Sequence, residues 1–253
     1  MGIYNGDFDN YLIKPAIIED ISYISRYHYM PFARQPYVKA WKITDIKYGK
    51  RDEPIGVITY SMPVLNCAAR RSAIGDFFAG ADKRIRLRRL NEFVRRISRV
   101  VIDPRYRGLG LAAWLVRRTM PQMEVPMIEA TAVMGKMSGF FERAGMHLYK
   151  IPVRPEAATL AGALLSAEIK PSLWIDAAAV YAQIQPLPED KKESIKRGLF
   201  RFLGAYGKRR TMAEGVESLR FALSRLNARP GYYVWLNPNR PLKGLELISH
   251  PPL

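Results

Sequence analysis

The sequence predicts an α/β (α+β) domain followed by a mainly helical C-terminal extension. Three observations predict it. A strand, a glycine turn and a helix follow one another over Ile97–Met120. Strand-like and helix-like stretches alternate from Tyr11 to Val153. After Lys150 the chain turns alanine-rich and amphipathic at helical spacing. The expected division is therefore 1–150, with a basic insertion at 66–90, and 151–253.

The central unit reads most clearly. Ile97, Val100, Val101 and Ile102 are β-branched and favour a strand, which Asp103-Pro104 ends because proline cannot donate to a ladder. Arg107-Gly108-Leu109-Gly110 turns the chain. Leu111 to Met120 then follows at helical spacing, with Arg117 and Arg118 near its C-terminal end, where cations suit the dipole, and Pro121 beyond it. Such a turn presents unpaired backbone N–H groups at a positive helix end and suits a phosphate. It is not a Walker loop, since no Gly-Lys-Ser/Thr follows. It is not the dinucleotide fingerprint either, since Ala113 takes the third glycine's place.

The remaining elements follow in order. Tyr11–Ile17 reads as a strand and Ile18–Tyr29 as a helix. His28 falls in an aromatic cluster with Tyr23, Tyr27, Tyr29 and Phe32, and reads as a core histidine or a substrate-facing base. Tyr37–Ile46 and Pro54–Met62 read as a hairpin. Residues 66–90 form a long basic connection or an arginine-rich surface helix, carrying Arg70, Arg71, Lys83, Arg84, Arg86, Arg88 and Arg89. Met127–Val133 and Tyr149–Val153 read as strands. Helices are expected at Glu156–Ala167, Leu173–Ile184, Asp190–Tyr206 and Thr211–Leu226, the last opened by a Thr211-Met-Ala-Glu214 capping box. Tyr232–Leu236 reads as a last strand and Pro251-Pro-Leu253 as a tail.

Composition narrows the function. One cysteine, Cys67, allows no internal disulfide, and three scattered histidines suggest no metal site. The start of the chain lacks the apolar core of a signal peptide, and Ala157–Ile184 is too interrupted by charge and proline to cross a bilayer, so a cytoplasmic location is expected and a membrane is not. The net charge is +17, and between Arg70 and Arg118 there are fourteen basic and four acidic residues. That surplus points to a polyanion, with DNA or RNA first. Part of it would serve an anionic cofactor.

Arg107-x-x-Gly110-x-Ala112, with Val-Ile-Asp-Pro-Arg-Tyr-Arg-Gly108 leading into it, resembles the pyrophosphate motif of the GNAT superfamily of N-acetyltransferases. Met127–Val133 and Phe140-Phe-Glu-Arg-Ala-Gly-Met146 resemble its fifth strand and following helix. Asn91, Arg96-Ile-Ser-Arg99 and Ala132-Val-Met134 resemble more narrowly the GNAT domains attached to prokaryotic ABC-type ATPases, although no ATPase part is present. The resemblance implies a mixed central sheet with splayed fourth and fifth strands. It implies acetyl-CoA or another acyl-CoA as co-substrate, held by Val100, Val101 and Ile102 along the pantetheine and by Arg107, Gly108, Leu109, Gly110, Leu111 and Ala112 at the pyrophosphate. A backbone N–H near the fourth strand would polarise the acyl carbonyl.

The family often has tyrosine where Phe141 stands, so Tyr149 and Ser138 are alternatives for a general acid. Glu129 is the candidate base, its bland alternatives being an exposed strand carboxylate or a partner for Arg96 or Arg99. Ser98 is a further catalytic candidate; it shares a strand face with Arg96 at strict alternation, with Arg99 on the other. Three functions compete. One is N-acyl transfer to an amine on nucleic acid, for which the distant GNAT-like Mom proteins of phages offer an analogy of fold alone. The second is acetylation of a protein or small-molecule amine. The third is a non-catalytic nucleic-acid-binding module. A second copy of the chain and a separate ATPase are further candidate partners.

Overall fold

β-Branched and aromatic runs build a seven-stranded mixed sheet. Its strands are β1 (Tyr11–Pro15), β2 (Lys39–Asp45), β3 (Pro54–Ser61), β4 (Val94–Ile102), β5 (Met127–Ala132), β6 (His147–Lys150) and β7 (Gly231–Leu236). The spatial order is β1-β2-β3-β4-β5-β7-β6, and only β4 and β5 run parallel. The computed structural model describes residues 8–27, 36–49, 52–80, 82–132, 139–150, 153–207, 211–227 and 230–248. His28 with Tyr29 and Phe32, Val133, Ser138 and the tail lie outside the described residues.

The chain divides into one unit made of Met1–Ile151 with Pro230–Leu253, and another made of Pro152–Arg229. The extension expected at 151–253 is thus interrupted: its last strand returns to the sheet. The run Gly231-Tyr-Tyr-Val-Trp-Leu236 is aromatic and β-branched, and it is paired on both sides, with β5 from Met127↔Leu236 to Ala132↔Gly231 and with β6 from His147↔Val234 to Lys150↔Gly231.

One sheet face is covered by α4 (Leu111–Thr119) and α5 (Phe140–Arg143). Leu111, Leu115 and Val116 of α4 pack on Ile97, Ile102, Ile128 and Ala130, and Tyr60 and Thr119 share a buried 2.8 Å hydroxyl hydrogen bond. The other face carries α1 (Ile18–Ser25), whose Ile21 and Ile24 cover Val57 and Val101. Beside it lie α2 (Ala68–Ile74) and α3 (Lys83–Phe93), whose Ala69, Ala73 and Leu90 cover Val94, Met127 and Val234. The basic insertion is therefore two helices rather than a loop. Asp82 caps α3 by accepting from the Arg84 amide at 2.7 Å.

Among its described residues the second unit has four α-helices, α6 (Pro155–Ser166), α7 (Ala177–Ile184), α8 (Glu189–Gly204) and α9 (Val216–Asn227), around Leu160, Leu164, Trp174, Val180, Leu199, Phe202 and Leu223. A Cβ on Gly198 would sit 3.2 Å from Leu160 Cα, so glycine lets α6 and α8 approach. The box expected at Thr211 does not open α9. That helix starts at Val216, directly after Gly215, whose φ of +150° is not helical, and the Glu214 carboxylate pairs with Lys196 at 3.1 Å. No helix among the described residues is long and apolar enough to cross a membrane.

Candidate functional site

The parallel pair at the middle of the sheet comes apart. Pairing of β4 with β5 runs from Val94↔Met127 to Ile97↔Ala130 and stops, while β4 continues to Ile102 and β5 to Ala132. The cause lies on the opposite edge of β4. Tyr60 faces Ile97 but Thr59 faces Arg99, so Ser98 is an extra residue, a β-bulge. Bulges increase local twist, and this one stands where the two strands part. The Ser98 hydroxyl donates to the Thr59 carbonyl at 3.2 Å and lies 3.0 Å from the Thr59 hydroxyl, clamping the bulge.

The bulge also changes which side chains share a face. Arg96 pairs with Ser61 and Arg99 with Thr59, and Ser61 and Thr59 share a face. Arg96 and Arg99 therefore lie on one side of the sheet, the side of α1, and strict alternation is overturned by the inserted residue. Arg99 donates to Ser25 Oγ of α1 at 3.1 Å. Val100 and Ile102 turn to the α4 face.

The open edge of β4 leads to the glycine turn. Asp103 caps a 3-10 turn at Pro104–Tyr106, and the Arg105 fork beside it holds its carboxyl below the usual range. Gly108 and Gly110 have φ of +86° and +81°, a region that favours glycine, and a Cβ at Gly108 would meet nothing within 4 Å. The first helical hydrogen bond of α4 runs from the Trp114 amide to the Gly110 carbonyl. The amides of Leu111, Ala112 and Ala113 thus precede the ladder and point out of the helix end. Arg107 staples this loop, donating to the carbonyls of Ile102 at 3.2 Å and Tyr27 at 3.3 Å. These residues fit a pyrophosphate: open backbone at two glycines, free helical N–H groups, and a cation at the loop's root. A cavity of about 400 Å³ opens nearby between Tyr23, Tyr27, Tyr48, Arg105 and Tyr106.

The sequence-level acid and base candidates lie elsewhere than expected. Glu129 is 2% exposed and held on both oxygens, by Arg70 Nε and Nη2 at 2.8 Å each and by the Tyr232 hydroxyl at 2.6 Å. Arg96 stands opposite it in register, yet the ion pair is to Arg70. That also removes Arg70 from the surface group expected to meet nucleic acid. It lies on the buried stripe of α2 with Ala69, Ala73 and Ile74, and donates further to the Val64 carbonyl. Burial and the Glu129 charge push the Tyr232 phenol well up, and burial followed by the same charge raises the Cys67 thiol. Tyr149 donates to the Ile248 carbonyl at 3.1 Å and packs on the α2 face, opposite the face of Phe141. It cannot supply a hydroxyl beside Phe141.

The basic helix keeps the other expected residues. Lys83, Arg84 and Arg88 are exposed, and Arg86 and Arg89 half-buried; Leu90 alone is buried. Among the described residues none of these five cations pairs with a carboxylate. Arg86 reaches Asn66 Oδ1 at 3.4 Å, and Arg89 lies over the rings of Phe77 and Phe78. Arg71 is exposed and paired with Asp76. Sequence reasoning missed three features here: the bulge, the Arg70–Glu129 pair, and Tyr233, which stacks on Phe141.

No protein-family model matches the chain. No curated protein matches it. Among solved structures, the NatC complex bound to Gag peptide and CoA is similar over 56% of this chain and 87% of its own, at 18% identity and a TM-score of 0.37. At that score the likeness carries no argument about the site, which rests on the geometry above.

Proposed function

We propose that the chain transfers an acyl group from acyl-CoA to an amine. The observation that carries the reading is the continuous open backbone from the Ser98 bulge along β4 to the glycine turn and the N-terminus of α4. An extended polar arm ending in a pyrophosphate needs such a path: strand edge groups for its amides, helix N–H groups for its phosphates. Acyl-CoA supplies the activated thioester. Val100, Val101 and Ile102 offer backbone partners on the β5 side, and Gly108 to Ala112 offer amides. Arg107 holds the turn closed on Ile102 and Tyr27.

Backbone released from the ladder at the bulge supports polarisation of a carbonyl placed there, an electrostatic contribution that needs no reorganisation. Holding both reactants at the splay supplies much of the remaining rate. Glu129 is neutralised by Arg70 and buried, so we assign it to positioning β5 against α2 and send the amine's proton to solvent.

The acceptor lies on nucleic acid in this reading. The five cations of α3 that pair with no described carboxylate favour it: α3 runs without a loop into β4, where the Ser98 bulge puts Arg96 and Arg99 on one face of the sheet. Cations on this scale bind phosphates without reading sequence. Calorimetric titration with acetyl-CoA tests the first half, with an Arg107→Glu, Gly110→Asp variant as comparison. Saturable binding abolished in a folded variant supports the site. Absence of binding to acetyl-CoA and to a panel of acyl-CoAs overturns it. Fluorescence anisotropy with labelled single- and double-stranded oligonucleotides at several salt concentrations tests the second half.

A further inference from the structure

Tyr233 is a buried tyrosine whose hydroxyl has no hydrogen-bond partner among the described residues, although it is 0% exposed. Buried hydroxyls are nearly always satisfied, so an orphan asks what it is held for. Its position gives an answer. Tyr233 pairs with Ala130, which pairs with Ile97, the last rung before β4 and β5 separate. Its ring lies on the α4 face, tilted against Phe141 with centroids 4.8 Å apart. A Cβ on Gly231 would come within 3.0 Å of the Tyr233 oxygen, so the hydroxyl points along β7 toward Gly231. Gly231 pairs with Ala132, the end of β5 on the splayed side. The hydroxyl thus points the way the two strands diverge, and the absent side chain at 231 makes its room. Tyr232, its neighbour, faces the other side and is occupied by Glu129.

We infer that Tyr233 is a catalytic residue whose O–H donates to the sulfur leaving the thioester in the splay. The inference rests on the acyl-transfer reading. In the step, the acceptor nitrogen forms a bond to the acyl carbon and the C–S bond breaks. The sulfur departs as thiolate with the electron pair and accepts the hydrogen bond, while the amine's proton goes to solvent. Burial raises the Tyr233 phenol to about 12, so it remains a donor throughout the working range.

The test uses free CoA, which carries the thiol, and acetyl-CoA, which does not. Both are titrated by calorimetry into the full chain and into Tyr233→Phe from pH 6.5 to 9.5. Tyr233→Phe removes one oxygen and little volume, and circular dichroism compares the folds. In the wild type the affinity for CoA relative to acetyl-CoA is expected to rise with pH as the bound thiolate gains its donor. In the variant that rise disappears, lowering CoA affinity at high pH by about tenfold or more. Acetyl-CoA affinity stays the same. Equal pH dependence in the two proteins overturns the role of Tyr233 while leaving the acyl-CoA site intact. Failure of the wild type to bind either ligand overturns the acyl-transfer reading, and this inference with it.

Discussion

Glu129→Gln is the sharpest perturbation of the sheet unit, because it keeps shape and removes charge. In the wild type the Arg70 guanidinium donates two 2.8 Å hydrogen bonds to the Glu129 carboxylate, and both side chains are about 95% or more out of water. Glutamine keeps one acceptor oxygen, which can serve Arg70 Nε and the Tyr232 hydroxyl, but presents N–H groups to Arg70 Nη2, which needs an acceptor. The Arg70 charge stays buried and uncompensated. Breaking one side of a buried pair costs about 3–5 kcal/mol. Native stability is on the order of 5–15 kcal/mol, so the loss is a large share of the total. In a chain of this size it corresponds to a fall in Tm of roughly 6–20 °C. Urea unfolding followed by far-ultraviolet circular dichroism measures it. A second variant, Arg70→Met, Glu129→Leu, Tyr232→Phe, removes all three polar partners and should recover most of the loss, since a buried pair exchanged whole for apolar groups is often neutral. The reasoning is refuted if Glu129→Gln unfolds within about 0.5 kcal/mol of the wild type, the level of a neutral surface change.

Other outcomes follow from the same geometry. Tyr233→Phe should raise stability by about 1–3 kcal/mol, because it deletes a buried hydroxyl without a partner among the described residues; a lower unfolding midpoint would mean the hydroxyl has a partner in solution. Gly231→Ala should destabilise, since its methyl meets Leu148 Cδ1 at 2.8 Å and the Tyr233 ring at 2.9 Å; thermal melts read it. Asp103 has a folded pKa below its unfolded value, owing first to Arg105, so its contribution is present above about pH 4 and disappears as pH falls through the folded value. Asp103→Asn should therefore be less stable than the wild type at pH 7, with the gap narrowing below about pH 4, in urea titrations at both pH values. Changing Lys83, Arg84 and Arg88 to Gln should reduce the dependence of log affinity on log salt by about 0.7–0.9 for each phosphate that the variant no longer engages. An unchanged slope would remove α3 from the interface.

What can be read from the chain is local. The glycine turn announces itself because two glycines, a proline and a β-branched run stand within a dozen residues, and each has a steric consequence of its own. The start of β4 is hidden, since Val94-Arg95-Arg96 does not look like a buried strand until β3 and β5 flank it. The bulge at Ser98 has no signature in a period-two pattern, so strict alternation puts Arg99 on the wrong face. Arg70 and Glu129 are 59 residues apart, and nothing in a basic run marks the one arginine that turns inward. Tyr149 and Tyr233 look alike in sequence, and only the pairing of β6 with β7 puts them on opposite faces.

The strand that completes the sheet is also the last to be made. Lys150 and Gly231 are cross-strand neighbours, yet the whole of Pro152–Arg229 lies between them in the chain. Topologically β6 and β7 are a hairpin whose turn has been replaced by a helical unit. Until that unit has left the ribosome, β5 lacks its antiparallel neighbour and β6 lacks any, so nascent chains carry an unpaired edge for that interval. Closing the longer loop costs little extra entropy, because the cost grows only with the logarithm of length. The delay is one of order, and a two-residue Asn-Gly turn in place of the helical unit would let the sheet finish as soon as its own residues emerge.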